Sequence, residues 1–213
     1  MVMVLALQWS VSGASNSPDL HRILVFGDSL SAAHGIDADA GWVALLEQRL
    51  AKRDSRWLVR NASVGGETTA GGRNRLPDLL DQVEPDIVIL ELGGNDGLRG
   101  LSPKAMRENL EAMLDAIAAT GSDVLLLGIE IPPNYGPVYT RRFTAVFADL
   151  AAARDLAFVP FLLDGVALEP EMMLDDGIHP SAQGQSRILE NVWEALQPLV
   201  ERSERTGQCA ASR

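Results

Sequence analysis

The chain has 213 residues, 46% of them apolar, and a formal charge of −11 from 18 Lys and Arg against 29 Asp and Glu. That composition suits one globular domain with a full-sized core, and an acidic chain with no basic stripe is a poor ligand for nucleic acid. The single cysteine, Cys209 in ERTGQCAASR, excludes an internal disulfide and has no Cys or His neighbour with which to build a zinc site.

Residues 1–20 begin with the apolar MVMVLALQ and continue into the small residues SGAS, without a basic segment ahead of them. They read as a signal peptide or a disordered N-terminus, which makes a periplasmic or secreted protein the expectation and a cytoplasmic one the alternative. No stretch is long enough to span a bilayer, so stable membrane insertion is not expected. The folded domain is expected over residues 21–201, with 202–213 as a disordered tail.

Along the domain, short apolar runs alternate with amphipathic segments. ILVFG (23–27) reads as a buried strand, and Ser29 just after it as the opening of a helix. GWVALLEQRLAKR (41–53) has helical spacing through Trp42, Leu45, Leu46 and Leu50. WLVRNAS (57–63) is a second strand, RLPDLLDQV (75–83) a helix, and DIVILELG (86–93) a third strand. The helix over 102–121 is the clearest: Ser102 caps it, Pro103 takes its first turn and Gly121 ends it. DVLLLGIEI (123–131) is a fourth strand, 137–155 a helix, AFVPF (157–161) a fifth strand, and 185–200 a closing helix. Strands that are apolar throughout and separated by helices imply a parallel sheet covered on both faces. The fold expected is α/β, a flavodoxin-like three-layer α/β/α sandwich with five parallel strands.

In such sheets ligands bind beyond the carboxyl ends of the strands. Four polar, glycine-containing segments stand there: GDSLS, NASVGGETTAGG, GGND and, further downstream, DDGIHP. Ser29 on its own reads as a helix cap, and as a nucleophile it needs a base. The chain has three histidines. His21 precedes the first strand, at the far end of the sheet. His34 shares a local segment with Ser29 and could line a pocket. His179 has carboxylates beside it and a proline after it, which biases it away from helical geometry. Elimination favours His179 as the base, held by Asp175 or Asp176, which spacing does not separate. An oxyanion would need donors, and the Ser29 amide, the glycines of VGGE and the Asn95 side chain can supply them.

GDSLS, NASVGGET, ELGGNDGLRG and DDGIHP resemble the four sequence blocks of the SGNH, or GDSL, hydrolases, and the resemblance runs from about Ile23 to Val200. IPPNYG and the long third block are most similar to the bacterial type known as acyl-CoA thioesterase I, arylesterase or lysophospholipase. The resemblance implies Ser29 as nucleophile, His179 as general base and Asp176 as its acid partner, with Ser29, Gly66 and Asn95 forming the oxyanion hole. It implies no cofactor and no metal, and a small ester or thioester with an acyl chain as substrate. Nucleic acid is not an expected partner, and the protein is expected to be a monomer. The acyl pocket is expected to involve His34, Leu98, Ile131, Tyr135 and Met172. One departure stands out: AHG follows GDSLSA where a glycine and an aromatic residue would be expected, so His34 alters the pocket wall. Position 31 is Ser, so the G-x-S-x-G elbow of ordinary α/β-hydrolases is missing, and no Walker-type phosphate loop is present. The function expected is hydrolysis of aryl esters, acyl-CoA or lysophospholipids through an acyl-enzyme. The alternatives are a carbohydrate acetylesterase and a non-catalytic lipid or carbohydrate binding module.

Overall fold

The computed structural model describes residues 20–211, with side chains to 206. Apart from Leu20, the expected signal segment therefore lies outside the described residues, as does the Cys209 side chain. The strands are β1 (His21–Gly27), β2 (Trp57–Asn61), β3 (Ile87–Glu91), β4 (Asp123–Leu127) and β5 (Ala157–Val159). They form one parallel sheet in the order β2-β1-β3-β4-β5.

Alternation along the strands divides the core into two layers. Ile23, Val25, Ile87, Ile89, Leu125 and Leu127 face α1 (Trp42–Arg53) and α6 (Gln185–Ala211). Leu24, Phe26, Val88, Leu90 and Leu126 face α2 (Thr69–Val83), α4 (Pro103–Thr120) and α5 (Pro137–Arg154). The result is the expected α/β/α sandwich. After β1 the chain crosses to β2 on one side and later to β3 on the other, so the gap beyond β1 and β3 is the topological switch point.

Several boundaries differ from expectation. The residues after Ser29 form a chain of turns through Gly35 rather than a helix. Ala32 N–H bonds back to Asp28 O at 3.0 Å, His34 N–H to Ser29 O at 3.3 Å, and Ala33 takes a positive φ of 55° that ends any helical run. Helix α2 starts at Thr69, six residues early, and Gly72 within it is there for packing and not for a loop. A Cβ on Gly72 would come within 2.4 Å of Leu92 and 3.1 Å of Phe26. The strand expected over 123–131 stops at Leu127, since Gly128 turns against the Pro160 carbonyl. A short helix, α3 (Gly94–Leu98), was not expected at all.

The closing helix corrects the expected tail, because α6 runs on to Ala211. Its extra turns are anchored: Glu204 accepts from Arg53 Nε at 2.9 Å and from Trp57 Nε1 at 3.1 Å, and Ser203 pairs with His21 Nδ1 at 3.1 Å. His21 is buried at the end of the sheet remote from Ser29, stacked on Trp57. Among the described residues no helix is long and apolar enough to cross a membrane.

Candidate active site

The site is assembled at the switch point from four segments. The turn after β1 carries Ser29. The segment after β2 brings Gly65 and Gly66 alongside it, tied down by Ala62 N–H to Val25 O at 2.9 Å and Val64 N–H to Gly27 O at 3.0 Å. Helix α3 carries Asn95, and the 172–181 loop carries Asp176 and His179.

That last loop is pinched into a narrow hairpin. Met173 and Pro180 form an antiparallel bridge, Leu174 N–H donates to His179 O at 2.8 Å, and Ser181 N–H donates to Met172 O at 2.7 Å. Gly177 turns the tip with a φ of +64°, a conformation that suits glycine. Asp176 Oδ1 accepts the backbone N–H groups of Ile178 and His179, both at 2.9 Å, while Oδ2 lies 2.7 Å from His179 Nδ1. The His179 amide, the His179 ring and the Ile178 amide, in that order, lower the Asp176 carboxyl to about 2. Asp176 is therefore ionised and accepts Nδ1–H. The other ring nitrogen, Nε2, lies 2.9 Å from Ser29 Oγ and is left to accept the hydroxyl proton. The choice that spacing left open falls on Asp176; Asp175 makes no hydrogen bond or ion pair among the described residues.

Two backbone donors flank the serine. Among the described residues, neither Ser29 N–H nor Gly66 N–H has an acceptor. Gly66 adopts a φ of +78°, a Cβ on Gly65 would come 4.0 Å from Ser29 Cβ, and the Gly66 carbonyl is gripped by Arg99 at 2.9 Å. Asn95 donates one amide hydrogen to Asp28 Oδ2 at 2.9 Å, which leaves its second hydrogen for the cleft. Ser29 and Asn95 border the same cleft, Gly65 lies beside Ser29 with Gly66 next in the chain, and Ser29, His179 and Asp176 are joined by hydrogen bonds.

Ser29, Asn95 and His179 border a cleft of about 440 Å³ with mainly apolar walls, among them Leu98, Ile129, Ile131, Leu163 and Met173. Leu168 stands at its edge, 93% exposed. Of the expected pocket residues, Leu98 and Ile131 line the cleft. Three do not. Met172 and Met173 both pack against the α1/α6 layer, but only Met173, the residue after the short 3-10 helix Pro170–Met172, also lines the cleft. Tyr135 sits behind the wall, donating its hydroxyl to Leu98 O at 2.8 Å. His34 is exposed and lies outside the cleft lining, with its ring centroid 4.3 Å from that of His179. Among the described residues no group of three His, Cys, Asp or Glu side chains could hold a metal ion.

Sequence reasoning missed the buried acids beneath the site. Asp28, 2% exposed, accepts Leu30 N–H at 3.0 Å as well as the Asn95 amide, and burial pushes its carboxyl up to about 6. Asp96 is buried too and accepts Thr69 N–H at 2.8 Å and Thr69 Oγ–H at 2.6 Å, clamping α2 to α3. Glu91, fully buried, ends β3 directly beside Gly27. The signal for Glu91 was legible: a charged residue at the end of an otherwise apolar strand.

The family model described as GDSL-like Lipase/Acylhydrolase matches residues 25–187. The chain is 52% identical over 178 residues to Esterase TesA of Pseudomonas aeruginosa, covering 84% of this chain and 89% of the relative. It is 43% identical to Thioesterase 1/protease 1/lysophospholipase L1 of Escherichia coli K12, covering 84% of each. The crystal structure of the psychrotrophic esterase EstA from Pseudoalteromonas sp., inhibited by monoethylphosphonate, superposes with a TM-score of 0.80 at 36% identity, over 85% of this chain and 99% of that one. The family match runs through every segment that meets at the cleft, and this chain accordingly belongs to the GDSL-like lipase/acylhydrolase family of serine hydrolases.

Proposed function

We propose that this protein hydrolyses carboxylic esters and acyl thioesters with an apolar acyl chain, through a covalent acyl-enzyme on Ser29. The observation that carries the reading is the Asp176–His179–Ser29 relay, closed by bonds of 2.7 and 2.9 Å, at the wall of an apolar cleft. The names of the similar proteins, esterase and thioesterase/lysophospholipase, support an ester or thioester carbonyl as the target.

In this reading Ser29 Oγ attacks the carbonyl carbon as its proton passes to His179 Nε2. Asp176 holds the imidazole by Nδ1–H and balances the cation that forms. The negative charge on the carbonyl oxygen is met by the Ser29 and Gly66 amides and by the free amide hydrogen of Asn95. His179 then gives its proton to the departing alcohol or thiol. Water, losing a proton to the same nitrogen, attacks the acyl-serine and releases the acid. The acyl chain lies against Ile131, Leu163 and Met173, out of water.

The test is hydrolysis of p-nitrophenyl esters and acyl-CoA thioesters from acetyl to palmitoyl, with Ser29→Ala as control. Activity on both classes that rises beyond acetyl and vanishes in Ser29→Ala is the expected result. Activity confined to acetyl esters would instead favour a carbohydrate acetylesterase.

A further inference from the structure

Glu91 closes β3 and is 0% exposed, yet it contributes nothing to the cleft lining. Its four companions in β3 are Ile87, Val88, Ile89 and Leu90, so the position is one that packing alone would fill with an aliphatic side chain. The carboxyl lies under the turn that carries Ser29. One oxygen, Oε2, accepts two hydrogen bonds, from Asp28 N–H at 3.1 Å and from Ser31 Oγ–H at 2.8 Å. These donors stand on either side of Ser29 in the chain. The other oxygen, Oε1, is buried with no partner. The fit is close enough to fix a neighbour's identity: a Cβ on Gly27 would lie 2.5 Å from Oε2.

An ionised carboxylate with one oxygen wholly unsatisfied is expensive to bury, whereas a neutral acid with an unused O–H is much less so. Burial first, and then the charge of Asp28, raise the Glu91 carboxyl well above the ordinary range. In this geometry Glu91 acts as an acceptor through Oε2. Asp28 carries the arrangement further. Its backbone is held by Glu91, and its Oδ2 takes one hydrogen of the Asn95 amide, which directs the other toward the cleft.

We propose that Glu91 is a positioning residue: by accepting from both the Asp28 amide and the Ser31 hydroxyl it fixes the turn that presents Ser29 and, through Asp28, the amide of Asn95. The inference rests on Ser29 being the nucleophile. It assigns Glu91 no contact with substrate, so its loss lowers turnover and leaves substrate binding alone.

The test compares Glu91→Gln and Glu91→Leu with the wild type on p-nitrophenyl butyrate. Reactive sites are counted by end-point labelling with an alkyl phosphonate, so that kcat refers to sites competent to react. Glutamine keeps the acceptor, and leucine fills the space without one. The expected result is a kcat within about threefold of wild type for Glu91→Gln. For Glu91→Leu it is a fall of about 30- to 100-fold with KM within about threefold, the size of effect that small misplacements of reacting groups produce. An unchanged kcat per labelled site in Glu91→Leu would overturn the proposal, as would a Glu91→Gln enzyme as slow as Glu91→Leu. Should Glu91→Leu not fold, Ser31→Ala removes one of the two tethers; a several-fold lower kcat is expected, and a wild-type kcat overturns the proposal. Failure of the underlying reading would look different: the wild type itself would show no labelling at Ser29.

Discussion

Asp176 and His179, three residues apart, are joined by two hydrogen bonds: the carboxylate accepts the backbone N–H of His179 at 2.9 Å on one oxygen and faces ring Nδ1 at 2.7 Å on the other. The same carboxylate therefore shapes the loop and sets the tautomer. Asp176→Asn is expected to keep the backbone bonds through its amide oxygen while turning its NH2 toward Nδ1, which favours the wrong tautomer. A loss in kcat of about 10²- to 10⁴-fold with KM little changed is expected, by steady-state kinetics. The sign for stability follows from the lowered carboxyl. Stabilisation from Asp176 is in place above the ordinary carboxylate range and is lost as pH falls toward about 2. Acid unfolding of Asp176→Asn should lack that component.

Asn95→Ala should cost about 10²- to 10³-fold in kcat, the usual effect of losing one oxyanion donor. The structure adds a second consequence. Asn95 is one of the donors to the buried Asp28, so its removal leaves that carboxylate short of a partner and lowers stability by about 1–3 kcal/mol. Denaturant titration beside kinetics checks both. A variant with normal turnover contradicts the assignment of Asn95 to the oxyanion hole.

Asp28 predicts an unusual pH dependence. Its carboxyl is raised by burial to about 6, so between about pH 4 and pH 6 the folded state binds more protons than the unfolded chain does. Stability from this group therefore falls as pH rises through that window and is level above it, by an amount on the order of 2 kcal/mol. Subtracting the melting temperature of Asp28→Asn from that of the wild type, at each pH from 4 to 8, should give a difference that declines across the window. Parallel curves would contradict it.

Leu168, almost fully exposed at the cleft edge, can gain burial only from a bound chain long enough to reach it. Leu168→Asp is expected to raise KM for long-chain p-nitrophenyl esters by about tenfold, the scale of losing one leucine contact. It should leave butyrate hydrolysis and the melting temperature unchanged. Equal effects on short and long chains would remove Leu168 from the acyl path.

The sequence made the relay residues visible for a physical reason. Ser29 and His179 stand on short polar segments beyond strand ends, where an apolar core has no need of polar side chains. Helix α4 was legible from end to end because cap, proline, apolar face and terminal glycine agree. Local signals failed where tertiary packing decides. Gly71 and Gly72 read as loop and are helix; the missing side chain of Gly72 makes room for Leu92 and Phe26. Met172 and Met173 could not be told apart in sequence; both pack against the α1/α6 layer, and Met173, which bridges to Pro180, is the one that also lines the cleft. Asp28 and Glu91 are invisible as a pair in a linear reading. They meet only because β1 lies beside β3 with Gly27 opposite Glu91.

The proposed reaction depends on Ser29 as the single nucleophile of this hydrolase. It is tested most directly by treating the protein with an alkyl phosphonate and locating the adduct by peptide mass spectrometry while following p-nitrophenyl ester hydrolysis. One adduct per chain is expected, on Ser29, with activity lost in proportion and no adduct in Ser29→Ala. Full activity with Ser29 modified, or an adduct on another residue that tracks the loss, would contradict it.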